Sequence, residues 1–128
     1  MAGHQLFFHL VWSTRNRAPM IDGPTRDFLE QFLRRMTIRE GAEPIGIAIL
    51  QTHIHLVVRT PTRFDLGRLA QTLKGGSSYA ANRLPGNVIG LRWTRRYYVA
   101  SVSPRALPRV MAYLKGQDER HPGEAIPR

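Results

Sequence analysis

Hydrophobic and polar positions divide this chain into four predicted strands and three predicted helices. Apolar residues that alternate with polar ones, or short β-branched runs, predict strands, whereas apolar residues three and four positions apart predict helices. The strands are expected at residues 4–14, 44–50, 51–59 and 92–103. The helices are expected at residues 24–40, at residues 65–84, and from a start between Pro104 and Pro108.

This order of elements, βαββαβα, predicts an α+β fold, an antiparallel sheet sandwich of the ferredoxin-like or RNA-recognition (RRM-like) type. Helices one and two would cover one sheet face, and the third helix would close over the other. The first strand is apolar on both faces, so we place it in the middle of the sheet. We expect a single domain over residues 1–121 and a loose C-terminal tail over residues 122–128.

The predicted third strand, QTHIHLVVR, carries two histidines on one face. Side chains alternate along a strand, so His53 and His55 point the same way with Cα atoms about 7 Å apart, while Ile54 points into the core. Two imidazoles on a rigid strand can clamp one metal ion. Taken alone, the pair is more simply explained as half-buried histidines that neighbouring groups satisfy. His9 is a further candidate for this face, with a structural role as the preferred interpretation.

The charge balance narrows the class of partner. Nineteen Lys and Arg against nine Asp and Glu give a formal net charge of +10 and a pI near 11.4. For a compact domain, the commonest partner of such a field is a phosphate polymer. The absence of cysteine excludes disulfides and cysteine-ligated zinc. No apolar run approaches the length of a spanning helix, and the N-terminus does not resemble a signal peptide, so we expect no membrane partner.

Six residues are candidates for contact with nucleic-acid phosphates. They lie in the turn RNRAP, the helix segment LKGGSS and the segment RWTRRYYVASVS, and they are Arg15, Arg17, Lys74, Ser77, Arg95 and Arg96. Other interpretations remain open, namely a solvated loop for the first segment and a helix kink at the glycines of the second. In the third segment, basic residues interleave with aromatic ones, although Trp93 and Tyr98 are also typical of a strand core.

Near the C-terminus, Tyr113 and Gln117 lie four residues apart and share a predicted helix face. The segment HIH at residues 53–55 is similar to the HUH motif (histidine, hydrophobic residue, histidine), and YLKGQ at residues 113–117 is similar to Tyr-x-x-x-Gln. HLVWSTRNRAP, LKGGSS and WTRRYYVASV resemble three further segments of the same family, in the same order. On these five motifs the chain resembles the single-tyrosine HUH transposases, which include small bacterial insertion-sequence transposases and REP-associated tyrosine transposases.

The resemblance implies a metal-dependent transposase that cleaves and rejoins single-stranded DNA at hairpin-marked ends. It implies that Tyr113, on a C-terminal catalytic helix, is the nucleophile and forms a 5′-phosphotyrosine. His53, His55 and Gln117 would hold a divalent metal, Mg²⁺ or Mn²⁺, and as neutral ligands they leave its full charge for the scissile phosphate. No nucleotide cofactor is implied. The implied location is the bacterial cytoplasm, in association with the nucleoid.

We also expect a homodimer. Helices one and two can cover only one face of a small sheet, and the short third helix must leave room for a metal and a DNA strand. Pro104 and Pro108 would stiffen the connection that leads into that helix. Two chains that exchange the helix would place each Tyr113 over the histidine pair of the other chain, as the family resemblance also implies.

Two alternatives belong to other functional classes. A non-catalytic, domesticated module that only holds DNA or RNA hairpins fits the charge and the sheet, but it needs neither the histidine pair nor Tyr113. A cupin-like His-x-His metalloenzyme needs a carboxylate soon after the histidines, and residues 56–62 contain none. Two positions also depart from the family pattern. Arg96 stands where the family usually has glycine, and SPRALP at residues 103–108 replaces a Val-Gly turn.

Overall fold

The computed structural model describes residues 6–85 and 90–126, in which a four-stranded antiparallel sheet has the order β2-β3-β1-β4. The elements in chain order are β1 (Leu6–Ser13), α1 (Gly23–Arg39), β2 (Glu43–Ile49), β3 (His53–Thr60), α2 (Leu66–Ala81), β4 (Tyr98–Val102), α3 (Leu107–Lys115) and α4 (Gln117–Arg120). The predicted α+β antiparallel fold is confirmed. Residues 4 and 5 of the predicted first strand, and residues 86–89 of the loop after α2, lie outside the described residues.

The first strand occupies a central position, as its two apolar faces predict. β1 pairs with β3 on one side and with β4 on the other, so β2 and β4 form the edges of the sheet. The register places Val11 opposite His55 and Ser13 opposite His53. Directly paired residues point to the same face of a sheet. His9, His53 and His55 therefore share one face, which we call the histidine face.

The other face of the sheet carries the main core. Leu10, Trp12, Ile54 and Leu56 point from the two central strands toward α1 and α2 and are almost entirely buried. Each helix contributes leucines one turn apart, namely Leu29, Leu33, Leu69 and Leu73. Burying one such side chain stabilises the fold by about 1.5–3 kcal/mol. This packing makes the two central strands a rigid base for the residues on the opposite face.

Local signals set the helix ends where the sequence predicts them. The Asp22 carboxylate accepts a hydrogen bond of 2.8 Å from the backbone N–H of Thr25 at the start of α1. Asp65 caps α2 in the same way, through a 2.9 Å bond from the N–H of Arg68. Gly41 follows α1 with a φ of +95°, a conformation that favours glycine. None of the helices among the described residues is long and apolar enough to cross a membrane.

The glycine pair in α2 serves helix packing. A Cβ on Gly76 would lie 3.1 Å from Cζ of Phe32, so this glycine lets the aromatic ring from α1 approach α2 closely. A Cβ on Gly75 would meet nothing within 4 Å. The group that approaches α2 is therefore the Phe32 side chain, at Gly76 alone.

Residues 121–126 form a segment that we call the C-terminal strap. The backbone N–H of Gln51 donates to the carbonyl of Glu124 at 2.8 Å, and the Gln51 side chain donates to the carbonyl of Ala125 at 2.7 Å. Ile126 is only 6% exposed and joins the core. Residues 122–126 are therefore docked on the domain, in contrast to the loose tail that the sequence predicts.

Candidate active site

The two central strands bring three histidines together. The rings of His53 and His55 have centroids 5.0 Å apart, and the ring of His9 lies 5.1 Å from that of His55. Nε2 of His9 is 2.9 Å from Nδ1 of His55, within hydrogen-bond distance. His9 thus contacts His55, one of the predicted metal ligands. This contact is consistent with the structural role that the sequence analysis prefers for His9.

The helix α3 places Tyr113 against this cluster. The tyrosine ring lies 5.8 Å from that of His55 and 6.5 Å from that of His9, in both cases edge-on. All three residues belong to the same chain. Within one chain, Tyr113 thus lies beside the histidines of that chain, and the exchange of α3 between two chains stays a prediction.

A glycine on the edge strand β2 allows α3 to lie close to the sheet. A Cβ on Gly46 would be 2.6 Å from Cε and 3.0 Å from Sδ of Met111, two residues before the tyrosine. Leu114 of the same helix is also buried. The path of α3, and with it the position of Tyr113, is thus set by side chains that pack on β2.

The Gln117 side chain lies in the cluster although helix α3 ends two residues before it. α3 stops at Lys115, and Gln117 begins the short helix α4 after Gly116, whereas the sequence predicts one continuous helix face. The Gln117 side chain is 1% exposed, and its amide donates to the carbonyl of Tyr113 at 3.2 Å. Tyr113 and Gln117 therefore remain neighbours, as the sequence predicts, although the helix breaks between them.

Two polar atoms in this cluster are buried without a hydrogen-bond partner among the described residues. They are Nε2 of His55 and Oε1 of Gln117. An unpaired buried polar group costs about 1–3 kcal/mol, so these two atoms are free to contact a ligand. Imidazole nitrogen and amide oxygen are both donors to divalent metals, and the residues present fit such a group.

A metal site in this cluster would need the Gln117 amide as well as histidines. Within the described ranges, no three or more His, Cys, Asp or Glu side chains are grouped so that they could hold a metal ion. A third donor beside His53 and His55 would therefore have to be a residue of another type, and the Gln117 amide lies in the same cluster.

Burial keeps the three imidazoles neutral. It lowers the pKa of His55 to about 3, with further contributions from the neighbouring His53 and His9. Burial also lowers the pKa of His53, an effect that the Glu124 carboxylate opposes, and lowers the pKa of His9. A neutral imidazole has a lone pair on one ring nitrogen, which is the form that binds a metal.

The cluster opens into a cleft of about 420 Å³ beside Tyr113. The lining residues are His9, Val11, His55, Tyr98, Arg109, Val110 and Tyr113. Tyr98 is 60% exposed, so its interpretation as a strand core residue is wrong. Trp93 does pack on the core, with its ring perpendicular to that of Trp12 at 5.9 Å.

Sequence reasoning missed two arginines near the tyrosine. Arg109 lies one turn before Tyr113 on α3 and lines the cleft. The guanidinium carbon of Arg120 lies 4.7 Å from the centroid of the Tyr113 ring. The four-residue spacing between Arg109 and Tyr113 could have identified Arg109 from the sequence. The position of Arg120 depends on the break at Gly116, which the sequence does not predict.

Most of the predicted phosphate contacts lie along one side of the molecule. The N–H of Arg15 donates to the carbonyl of Arg92 at 2.8 Å, and that of Thr94 donates to the carbonyl of Ser13 at 2.9 Å, so the turn after β1 runs beside residues 92–96. The exposed arginines of these two segments form what we call the basic edge: Arg15, Arg17, Arg92, Arg95 and Arg96. Lys74 joins it, because its Nζ donates to the carbonyl of Arg96 at 3.1 Å.

Ser77 does not belong to this surface. It is fully buried, and its hydroxyl accepts a 2.9 Å hydrogen bond from the Trp93 indole and donates to the carbonyl of Lys74 at 3.0 Å. The predicted contact between Ser77 and DNA phosphate is therefore wrong for this structure, since the side chain has no exposed surface.

Comparisons with known proteins agree with the fold and with the family that the sequence motifs resemble. A sequence model of the family "Transposase IS200 like" matches residues 2–117. The ISDra2 transposase TnpA of Deinococcus radiodurans is 25% identical over 122 residues, which cover 91% of this chain and 87% of that protein.

Two solved structures share the fold, each with a TM-score of 0.70. One is a candidate transposase of Deinococcus radiodurans R1, 22% identical, for which the match covers 91% of this chain and 93% of the other. The second is a REP-associated tyrosine transposase bound to a REP hairpin, 14% identical, with coverage of 94% and 70%. At these identities the likeness establishes the fold alone.

Proposed function

The chain belongs to the IS200-like transposase family, and on that premise we propose that it cleaves and rejoins single-stranded DNA through a covalent bond to Tyr113. One observation carries the proposal. The buried atoms His55 Nε2 and Gln117 Oε1 lie in one cluster, and the His55 ring lies beside Tyr113 at the wall of a cleft. A module that only binds hairpins has no need of this arrangement.

His53, His55 and Gln117 would hold the divalent cation, Mg²⁺ or Mn²⁺. When bound by these residues, such a cation would supply positive charge to polarise a phosphoryl oxygen of the scissile phosphate. His9 supports this ligand set through its contact with Nδ1 of His55. When that nitrogen donates its proton to His9, Nε2 of His55 is left with the lone pair that the ligand role requires.

Tyr113 would act as the nucleophile. Its phenolic oxygen would give up its proton and form a bond to the scissile phosphorus. The bond from phosphorus to the 3′-oxygen breaks, and the leaving oxygen takes up one proton to become a free 3′-hydroxyl, so that protons balance. The product is a 5′-phosphotyrosine, and reversal of the same step rejoins the strand. Arg109 lines the cleft at a spacing that suits contact with the phosphate, and the guanidinium of Arg120 lies over the Tyr113 ring.

The basic edge and Lys74 would bind the DNA backbone on the way to the cleft. Its arginines are exposed and adjoin the site at Arg17, which lies 3.3 Å from Glu124 of the strap. The structural neighbour that is bound to a REP hairpin supports a stem-loop as the substrate. Tyr98, exposed at the cleft, can stack on an unpaired base. We place this activity in the bacterial cytoplasm at the nucleoid, where chromosomal DNA lies.

We further propose a homodimer that forms at the edge of the sheet. β4 is an edge strand, and Tyr98 and Val99 on it are exposed. An exposed apolar edge strand is a template for pairing with a second chain. Sedimentation should show a dimer for the wild type and a monomer for Val99→Lys, because a charge on an edge strand opposes such pairing. A wild-type monomer would rule the dimer out.

Calorimetry with Mn²⁺ tests the metal site. The wild type should bind one equivalent, and His55→Ala and Gln117→Ala should each weaken binding by about tenfold or more. Gln71→Ala, at an exposed glutamine of α2, is the matched control and should bind normally. Equal Mn²⁺ affinity in all four proteins, or none in the wild type, would favour the hairpin-binding module instead.

A further inference from the structure

The C-terminal strap lies against His53, one of the two histidines proposed to bind the metal. The Thr52 hydroxyl is 3.0 Å from Nδ1 of His53 and donates a short hydrogen bond to Oε1 of Glu124. The same carboxylate oxygen lies 4.0 Å from Nδ1, too far for a hydrogen bond of its own. Thr52 therefore stands between the imidazole and the carboxylate.

Proton counting fixes the direction of both hydrogen bonds. A hydroxyl has one proton to donate, and an ionised carboxylate can only accept. A glutamate side chain is a carboxylate at neutral pH, and Glu124 faces the Arg17 guanidinium. Since the Thr52 proton goes to Glu124, the Thr52 oxygen accepts from His53. Nδ1 of His53 then carries the ring proton, and Nε2 keeps the lone pair.

The carboxylate is held in place by several contacts. Arg17 Nη2 lies 3.3 Å from Oε1, and Nδ1 of His121 lies 3.5 Å from Oε2. The backbone carbonyl of Glu124 accepts from the N–H of Gln51 at 2.8 Å, one residue before the threonine. The match to the family model ends at Gln117, so the strap lies beyond it. Nothing in the motifs that carry the family resemblance points to Glu124.

We propose that Glu124 is a positioning residue that sets, through the Thr52 hydroxyl, the tautomer of His53 in which Nε2 binds the metal. This role rests on the proposed metal site and deepens it. His55 has the equivalent arrangement, with His9 at its Nδ1. Groups that orient a metal-binding histidine through its other nitrogen typically contribute ten- to a hundredfold to metal affinity.

The decisive measurement is the ¹⁵N NMR signature of the His53 imidazole in the metal-free protein, followed by Mn²⁺ titration. The wild type should show a proton on Nδ1. Glu124→Ala frees the Thr52 proton for His53 and should convert this signal to a mixture or to the Nε2-protonated form, and weaken Mn²⁺ binding about tenfold or more. Glu119→Ala, which removes an exposed carboxylate on α4 and changes the net charge equally, should leave both readouts unchanged.

Two threonine variants separate the relay from a structural role. Thr52→Val keeps the shape but removes the hydroxyl and should weaken Mn²⁺ binding as Glu124→Ala does, whereas Thr52→Ser should keep wild-type affinity. A proton on Nε2 of His53 in the wild type, or unchanged tautomer and affinity in Glu124→Ala, would overturn the proposal. The wild-type spectrum decides the tautomer even if Glu124→Ala fails to fold. It also requires no metal, so a failure of the wild type to bind Mn²⁺ would count against the proposed function separately.

Discussion

The ring of Tyr113 lies edge-on to the ring of His55 in the same chain, with centroids 5.8 Å apart and planes inclined at 81°. In this arrangement one chain would hold the proposed nucleophile and the proposed metal ligands together. A mixture of inactive Tyr113→Phe and inactive His55→Ala proteins should therefore show no DNA cleavage, since neither chain contains a complete site.

Cleavage by the mixed proteins, at a rate that depends on the ratio of the two, would show that α3 is exchanged between chains as the sequence predicts. The control is a mixture of the wild type with Tyr113→Phe, in which activity should fall only in proportion to the wild-type content. The assay distinguishes the two arrangements even if the protein is a dimer.

The stability of the fold should fall as the solution becomes mildly acidic. The pKa of His55 is about 3 in the folded protein against an ordinary value of 6.5, and burial also lowers those of His53 and His9. Above pH 6.5 these groups are neutral in both states and their contribution is fully present. As the pH falls below that value, the unfolded chain binds protons that the folded chain does not.

Each such histidine lowers the free energy of unfolding by up to about 1.4 kcal/mol per pH unit. Urea denaturation between neutral pH and about pH 4.5 measures the slope, which should become shallower in His55→Asn. The lowered pKa values of Asp22 and Glu124 act in the same direction, but only near and below the ordinary carboxyl range. A free energy of unfolding that is constant over this interval would contradict the buried neutral cluster.

Gly46 should control the position of the catalytic helix. Gly46→Val adds side-chain atoms where Cε of Met111 already lies 2.6 Å from an added Cβ, and overpacking of this kind costs about 1–3 kcal/mol. We expect a lower free energy of unfolding and slower cleavage, because α3 must move. Gly75→Ala, where an added Cβ meets nothing within 4 Å, should instead stabilise α2 by about 0.5–1 kcal/mol.

A double-mutant cycle tests the contact itself. Met111→Ala should offset part of the loss in Gly46→Val, because it removes the atoms that collide. Strictly additive free energies of unfolding in the double variant would show that the contact with Met111 does not set the helix position.

The sequence predicted the parts of the site that local periodicity controls. Alternation along a strand placed His53 and His55 on one face, and the cap at Asp65 marked the start of α2. Features that depend on distant segments escaped prediction. Glu124 lies 72 residues from its partner Thr52. Ser77 was assigned to the surface because the packing of Trp93 on α2 could not be foreseen, and Tyr98 was assigned to the core because the edge position of β4 was unknown.

DNA binding should depend on salt and prefer a hairpin with a single-stranded flank over blunt duplex. Arg95→Ala and Arg96→Ala should each reduce the slope of log affinity against log salt by about 0.7–0.9, the value of one lost phosphate contact. Ser77→Ala should leave the slope unchanged, since Ser77 is buried. Fluorescence anisotropy over a salt series measures both, and tighter binding to blunt duplex would indicate a generic basic module.

The proposed function depends on a covalent bond between Tyr113 and DNA. Incubation with Mn²⁺ and a labelled hairpin that carries a single-stranded flank, followed by denaturing electrophoresis and peptide mapping, shows whether a covalent adduct forms and where. The wild type should give an adduct at Tyr113, and Tyr113→Phe should give none while its hairpin affinity stays within about twofold, because phosphate contacts carry the binding. An adduct that persists in Tyr113→Phe, or that maps to Tyr97 or Tyr98, would contradict the account.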